Sequence, residues 1–383
     1  MTAFSPRLLP ALLALLLPAL APGCGGEAED ETGPSAADRS ARTRTAVDAS
    51  GSRVAAVVRP KGRKQTVQID GVQVGEEYER VWAPRFSPGG ESAAFPAYQD
   101  GKWFVVKDGK RVSDYYEGGG GLVYSPDGGT LAFTAWSDGK GFVVCGGRQV
   151  GDRYETVGPP VFGPRGESLA FTAEQGGRAF VFCDERRVGG RYDGVRRPAF
   201  SPANGSLVFA AREKDEWFLV RDGKPWGTRY QLGPMGWIDH VVFGPRGRSV
   251  AFVVRKETEF FVVRDFVRVG GRYAAVTPPV FGPDGKGLAF GAARTDANWT
   301  LVKNDRELEL EPGITRIQDV TFGPAGETVA CWTRLGSKWF VHKAGARLKG
   351  AYDGAVALRR SPDGRLTIIG SRGGIIRREV VDW

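Results

Sequence analysis

The chain has 383 residues, 41% of them hydrophobic and 25% charged, a balance that excludes a disordered polymer and leaves room for one large domain. Its 55 glycines and 24 prolines exclude a helical solenoid and suit an all-β array with a turn about every 8–12 residues. The formal charge is +9, and His240 and His342 are the only 2 histidines, too few for an imidazole-based metal centre.

In chain order, residues 1–24 read as an export signal. Arg7 supplies the positive end, Leu8 to Ala21 is an apolar stretch too short for a membrane-spanning helix, and small residues follow. Leu20-Ala21-Pro22-Gly23-Cys24 resembles the lipobox of bacterial lipoproteins, which would make Cys24 the lipidated first residue of the mature chain; its leucine lies four rather than three residues before the cysteine. Ala19-Leu20-Ala21 offers the competing reading, a site for ordinary signal peptidase. The polar, acidic stretch 25–41 is expected to be a flexible tether, and 42–383 the folded unit.

From there one unit recurs. An aromatic-x-Pro step appears at Phe86, Tyr124, Phe162, Phe200, Phe243, Phe281 and Phe322, with Arg360 as a degenerate last copy, at spacings of 38, 38, 38, 43, 38, 41 and 38. A weaker copy begins at Ala46, with Val47 in the aromatic position. A period in this range settles architecture before local propensity does. Each unit parses into four short strands, here lettered A to D. Strand A runs into the aromatic. Ser-Pro-Asp-Gly, as at Ser125 to Gly128, then suits a type I turn. Strand B is an apolar run such as Leu169-Ala170-Phe171, and strand C one such as Phe142-Val143-Val144. Asp-Gly at Asp108-Gly109 and Asp222-Gly223 predicts a two-residue hairpin with both residues at positive φ. Strand D holds Val-Gly-x-x-Tyr, as at Val150 to Tyr154.

Continuous rather than alternating apolar runs imply sheets buried on both faces. Four-stranded sheets repeated radially achieve that while leaving only short edges, so the expected fold is all-β, a single β-propeller of four-stranded blades. The count stays open at eight or nine. If residues 42–46 supply a first strand A, there are nine blades; if the strand before Arg360 completes the first unit, the chain ends share one blade and there are eight, with 366–381 as an appendage.

The stretch SPDGGTLAFTAWSDGKGFVV, Ser125 to Val144, resembles the repeat of TolB-like and WD40-like (PD40) propellers of bacterial envelope proteins, and the likeness extends over 47–381. The Gly-His and Trp-Asp signature of true WD40 repeats is absent. The resemblance implies a periplasmic or surface-exposed protein whose propeller binds a protein or another macromolecule; a monomer, held at the membrane through its lipid anchor only, is expected.

Chemistry-bearing motifs are scarce. Neither a G-x-S-x-G elbow, an H-E-x-x-H pair, a C-x-x-C pair nor a phosphate-binding glycine loop occurs, and His342 falls in a predicted strand, where a structural role is expected. No cofactor, no metal and no catalysis are expected. The rival is a polysaccharide hydrolase or lyase using paired carboxylates, for which Glu213 with Asp215 and Glu257 with Glu259 are the loop pairs, read also as solvated faces. Cys145, Cys183 and Cys331 remain after Cys24 and are expected to be free, buried thiols, since Cys145 and Cys183 occupy equivalent places one repeat apart.

Two features are candidate contact surfaces. The five-residue insertion between Tyr230 and Phe243 would place Met235, Trp237 and His240 on a loop between blades, suited to a partner or to folding back over the ring. Arg153, Arg191, Arg229 and Arg272 recur beside the strand D tyrosine and would draw an arc of guanidinium groups on four consecutive blades. Its ligand would be an anionic polymer or an acidic protein face; the alternative is that each arginine stacks on a neighbouring aromatic. Export argues against a nucleic-acid partner.

Overall fold

The computed structural model describes residues 44–60, 62–295, 298–361 and 363–383; the stretches read from sequence as export signal (1–24, with Cys24) and tether (25–41) lie outside the described residues. Nine antiparallel sheets follow one another along the chain, over 45–78, 80–111, 118–154, 156–192, 194–231, 237–273, 275–308, 314–347 and 354–381, here blades 1 to 9. The question of eight or nine is decided at the ends. Thr45–Val47 pairs with Val54–Val58 as strand A of blade 1, while Gly354–Arg360 pairs with Leu366–Arg372 in a sheet of its own. Blade 9 has three strands among the described residues, and it is a blade rather than an appendage.

The first strands form the inner ring. Those of blades 1 and 2, 2 and 3, 3 and 4, 5 and 6, 7 and 8, and 8 and 9 touch, and that of blade 9 touches that of blade 1 and closes the circle. Whether strand A is whole follows from proline, which has no N–H for a ladder. In blade 4, Gly158-Pro159-Pro160 splits it into Thr156–Val157 and Val161–Phe162. Without proline, Gly118–Tyr124, Trp237–Phe243 and Ile314–Phe322 run through, each with a register shift at a residue of positive φ: Gly121, His240 and Asp319.

Turn chemistry behaves as its residues dictate. Gly128 donates to the Ser125 carbonyl (2.9 Å) and Thr130 N–H to Ser125 Oγ (2.9 Å), closing the turn between strands A and B. Asp222 and Gly223 have φ of 47° and 82°, as the two-residue hairpin requires. The aspartate also clamps its blade. Asp108, Asp184, Asp222 and Asp265 each accept from the first N–H of their strand B at 2.8–2.9 Å, and Asn304 does so through its amide oxygen.

Between blades lies the core. Each strand D tyrosine reaches the central strand B phenylalanine of the next blade: Tyr78 to Phe95, Tyr116 to Phe133, Tyr154 to Phe171, Tyr192 to Phe209, Tyr230 to Phe252 and Tyr273 to Phe290, with ring centroids 6.0–6.3 Å apart. The Val-Gly-x-x-Tyr pattern has a local cause. Glycine at positive φ, as at Gly189 (φ 80°), shifts the strand register so that the tyrosine hydroxyl folds back onto the exposed amide of Gly190 (3.0 Å); a Cβ on Gly189 would lie 2.7 Å from that hydroxyl.

Blades 7 and 8 join differently. Blade 7 carries Leu308 and Leu310 where other blades carry the motif, and Cys331 takes the phenylalanine place in blade 8, fully buried as expected. Beside it His342, 1% exposed, holds Thr333 Oγ1 with Nδ1 (2.9 Å) and faces Glu311 with Nε2 (3.4 Å), itself tied to Arg347 (3.0 Å). Burial pulls the His342 pKa below the ordinary value, against the opposing pull of Glu311. The unfolded chain therefore takes the proton first, so stability is lost as pH falls below the ordinary histidine value of about 6.5. Urea midpoints measured from pH 7.5 to 5 should decline more steeply for the wild type than for His342→Val; parallel curves would remove His342 from the acid response.

The remaining thiols differ from expectation. All three cysteines are free, but Cys145 and Cys183 are only half-buried, because the last residue of strand C packs at the margin of the cluster between its blade and the next. Burial, reinforced by Asp184, still pushes Cys183 up to about 12, so it holds its proton and is a poor nucleophile.

Candidate functional site

Among the described residues, eight of the nine seams between blades hold a buried apolar cluster, and the seam between blades 9 and 1 does not. Both halves of the lock are missing there. Blade 9 has no described strand D and hence no tyrosine, while blade 1 places Ala56 where other blades place phenylalanine and Gln68 where they place Val106, Val144, Val220 or Val263. Val54, Ala56, Val58 and Gln68 are left half-buried, whereas Phe95, Phe171, Phe209, Phe252 and Phe290 are all 0% exposed.

The missing volume opens as a cleft of about 1610 Å³ that runs from this seam into the central channel. Val54, Val58 and Ile376 line its outer part, with Asp70 and Arg378 beside them; Trp82, Arg85, Arg316 and Gln318 line it towards the channel. Apolar walls framed by guanidinium groups can hold a polypeptide with acidic side chains.

The inner wall carries two carboxylates, and both are neutralised across blades. Asp239 faces Arg196 at 3.9 Å, and Arg196 also lies over the rings of Trp217 and Trp237. Asp319 accepts from the Leu358 amide (2.6 Å) and faces Arg359 (3.6 Å); burial raises its pKa, with Arg359 pulling the other way. Among the described residues, no group of three or more His, Cys, Asp or Glu side chains gathers in metal-binding geometry.

The arginines singled out from sequence lie at equivalent places on the outer strands of blades 3 to 6, all exposed. Three of the four guanidinium groups are engaged within the chain. Arg153 pairs with Asp138 (3.0 Å) over the ring of Phe142, Arg229 with Glu213 (3.2 Å) and Glu216 (3.1 Å) over Phe218, and Arg272 with Glu259 (2.6 Å). Arg191 offers its carbonyl to Arg178 (3.0 Å), which pairs with Asp193. The acids Glu213 and Glu259 thus serve as partners of these arginines.

The insertion needs a correction. Trp237 and His240 are not on a loop but in strand A of blade 6, because Leu232 and Ile238 are drawn into the seam and leave only residues 232–236 as connection. Met235 is the exposed large apolar residue of that connection, at 67%, beside the exposed Pro234; Trp237 is half-buried against Phe260 (5.7 Å), and His240 is exposed on the channel wall. Sequence reasoning missed the seam cleft. Its signal was present in the alanine at 56 and the glutamine at 68, set against the repeat.

No family model matches the chain, and no curated protein sequence matches it. A crystal structure of a eukaryotic initiation factor is similar at 12% identity over 81% of this chain and 87% of that one, with a TM-score of 0.52. The likeness is one of fold. The β-propeller domain of Cps50 (Swd1) from Myceliophteria thermophila matches at 15% identity, covering 69% and 96% of the two chains (TM-score 0.37), and KlHsv2 with its loop 6CD replaced by a Gly-Ser linker at 12%, covering 68% and 96% (TM-score 0.37). The chain is a β-propeller.

Proposed function

We propose that this propeller is a non-catalytic binding protein of the bacterial cell envelope, anchored by lipid at Cys24, that takes a protein partner in the cleft between blades 9 and 1. The observation carrying this reading is the cleft: it combines apolar walls with arginines and opens into a cavity of about 1610 Å³ that it shares with the central channel. The envelope location rests on the export signal and on the resemblance of the repeat to TolB-like and PD40 propellers. Fold alone does not assign a role, so the cleft must be tested.

Affinity capture from envelope extracts with the full chain, Ile376→Glu and Arg191→Ala/Arg229→Ala, with fractionation of Cys24→Ala, provides that test. The expected result is a reproducible companion held by the wild type and the double arginine variant, lost at least tenfold by Ile376→Glu, with Cys24→Ala released from membranes. Equal retention by Ile376→Glu would exclude the cleft, and membrane retention of Cys24→Ala would exclude the anchor.

A further inference from the structure

At one end the seam between blades 9 and 1 is in contact: Thr367 and Arg359 pack against Gly51 in the first turn of blade 1, and Ile369 is fully buried. Its outer part is different. Among the described residues, strand C of blade 9, Ile375–Val381, pairs with Leu366–Arg372 on one side only, and no described strand ladders the N–H and C=O groups of its other edge beside the cleft. After Val381 the chain turns back over blade 8, where the Asp382 carbonyl accepts from Lys343 Nζ (3.0 Å) and Trp383 packs on Gly323. In six other seams this edge is covered by a strand whose tyrosine meets a phenylalanine. Here Ala56 and Gln68 leave a ring-sized vacancy at that height.

We infer that the fourth-strand place of blade 9 is a seat for an extended segment of a partner protein, which adds edge to edge with an aromatic side chain over Ala56 and Gln68. Strand addition of this kind takes its affinity from main-chain hydrogen bonds and its specificity from pockets for alternate side chains. Arg377 and Arg378, both exposed and paired with no carboxylate among the described residues, select acidic residues on the incoming strand. The chain's own leader is ill suited. In most blades the tyrosine precedes the strand A aromatic by eight positions, as Tyr78 precedes Phe86; counted back from Val47, that register puts Arg39 at the tyrosine place and Gly33-Pro34 in the strand, with no aromatic and one missing N–H. The inference rests on the binding reading above and names the chemistry of its partner.

The probe is a fluorescent peptide copying Arg148 to Val157, RQVGDRYETV, which is a strand D of this protein with two acids and the tyrosine. It is titrated against the full chain while amide hydrogen exchange is followed along 375–381. The amides of this strand alternate between the ladder with Leu366–Arg372 and the open edge; those at the open edge should exchange freely in the unliganded chain and slow at least roughly tenfold with peptide, while alanine at the peptide tyrosine, Ala56→Phe and the exposed Arg378→Glu should each weaken binding about tenfold or more. Two results would overturn the inference: protection of the open-edge amides of 375–381 before peptide is added, matching that of Arg178–Cys183, a strand covered on both sides, which would mean the chain fills its own seat, or exchange at that edge unchanged at about 1 mM peptide. Capture of a companion with exchange unchanged would leave the binding reading standing and remove strand addition alone.

Discussion

Phe209→Ala is expected to lower the unfolding free energy by about 3–5 kcal/mol, measured by urea titration, because the ring is wholly buried between blades 4 and 5 and its removal leaves a cavity in a wall that cannot collapse. The same exchange in reverse at the equivalent place should behave oppositely. Ala56→Phe enters the open cleft, so it should cost nothing and would gain whatever apolar surface the new ring covers. Equal losses for the two variants would show that the seam between blades 9 and 1 is packed like the others. Position in the repeat is therefore a poor guide to energetic weight; the neighbour on the far side of the seam decides it.

Tyr192→Ala should be comparably costly, about 3 kcal/mol or more, since a buried ring is lost and the amide of Gly190 loses its acceptor. Tyr192→Phe keeps the packing against Phe209 and Phe218 and should cost only about 1 kcal/mol. Because Tyr192 and Phe209 fill one seam from opposite sides, the double alanine variant should be less destabilised than the two losses added, by roughly 0.5–1.5 kcal/mol. Strict additivity would mean that the rings do not act as a pair. This lock also bears on the seat in blade 9: what a bound strand has to supply there is what Tyr192 supplies to Phe209.

Much of the arrangement around these residues was readable beforehand for a local reason. The proline and Asp-Gly of the turn after strand A, the Asp-Gly of the hairpin and the Val-Gly-x-x-Tyr of strand D each act over a few bonds, so Ser125 to Gly128 and Asp222-Gly223 turn as their residues require. The misplacement of Trp237 and His240 came from treating an insertion as a loop. Its apolar members, Leu232 and Ile238, had a seam to fill, and burial outweighed insertion length. The arginine arc was found at the expected places, but the acids that engage it come from hairpins across the blade, and sequence spacing does not reveal such partners.

By itself, the sequence determined the repeating sheet, its turns, the all-β class and the burial of both sheet faces, because each depends on backbone preferences and apolar runs within one unit. Tertiary structure alone decided that there are nine blades, that the first and last meet without a lock, and that a cleft opens where they do. Closure brings together strands about 300 residues apart, such as Val54–Val58 and Ile375–Val381, and depends on how much volume eight earlier seams leave for the ninth. That sum is a property of the ring and is written in no single repeat.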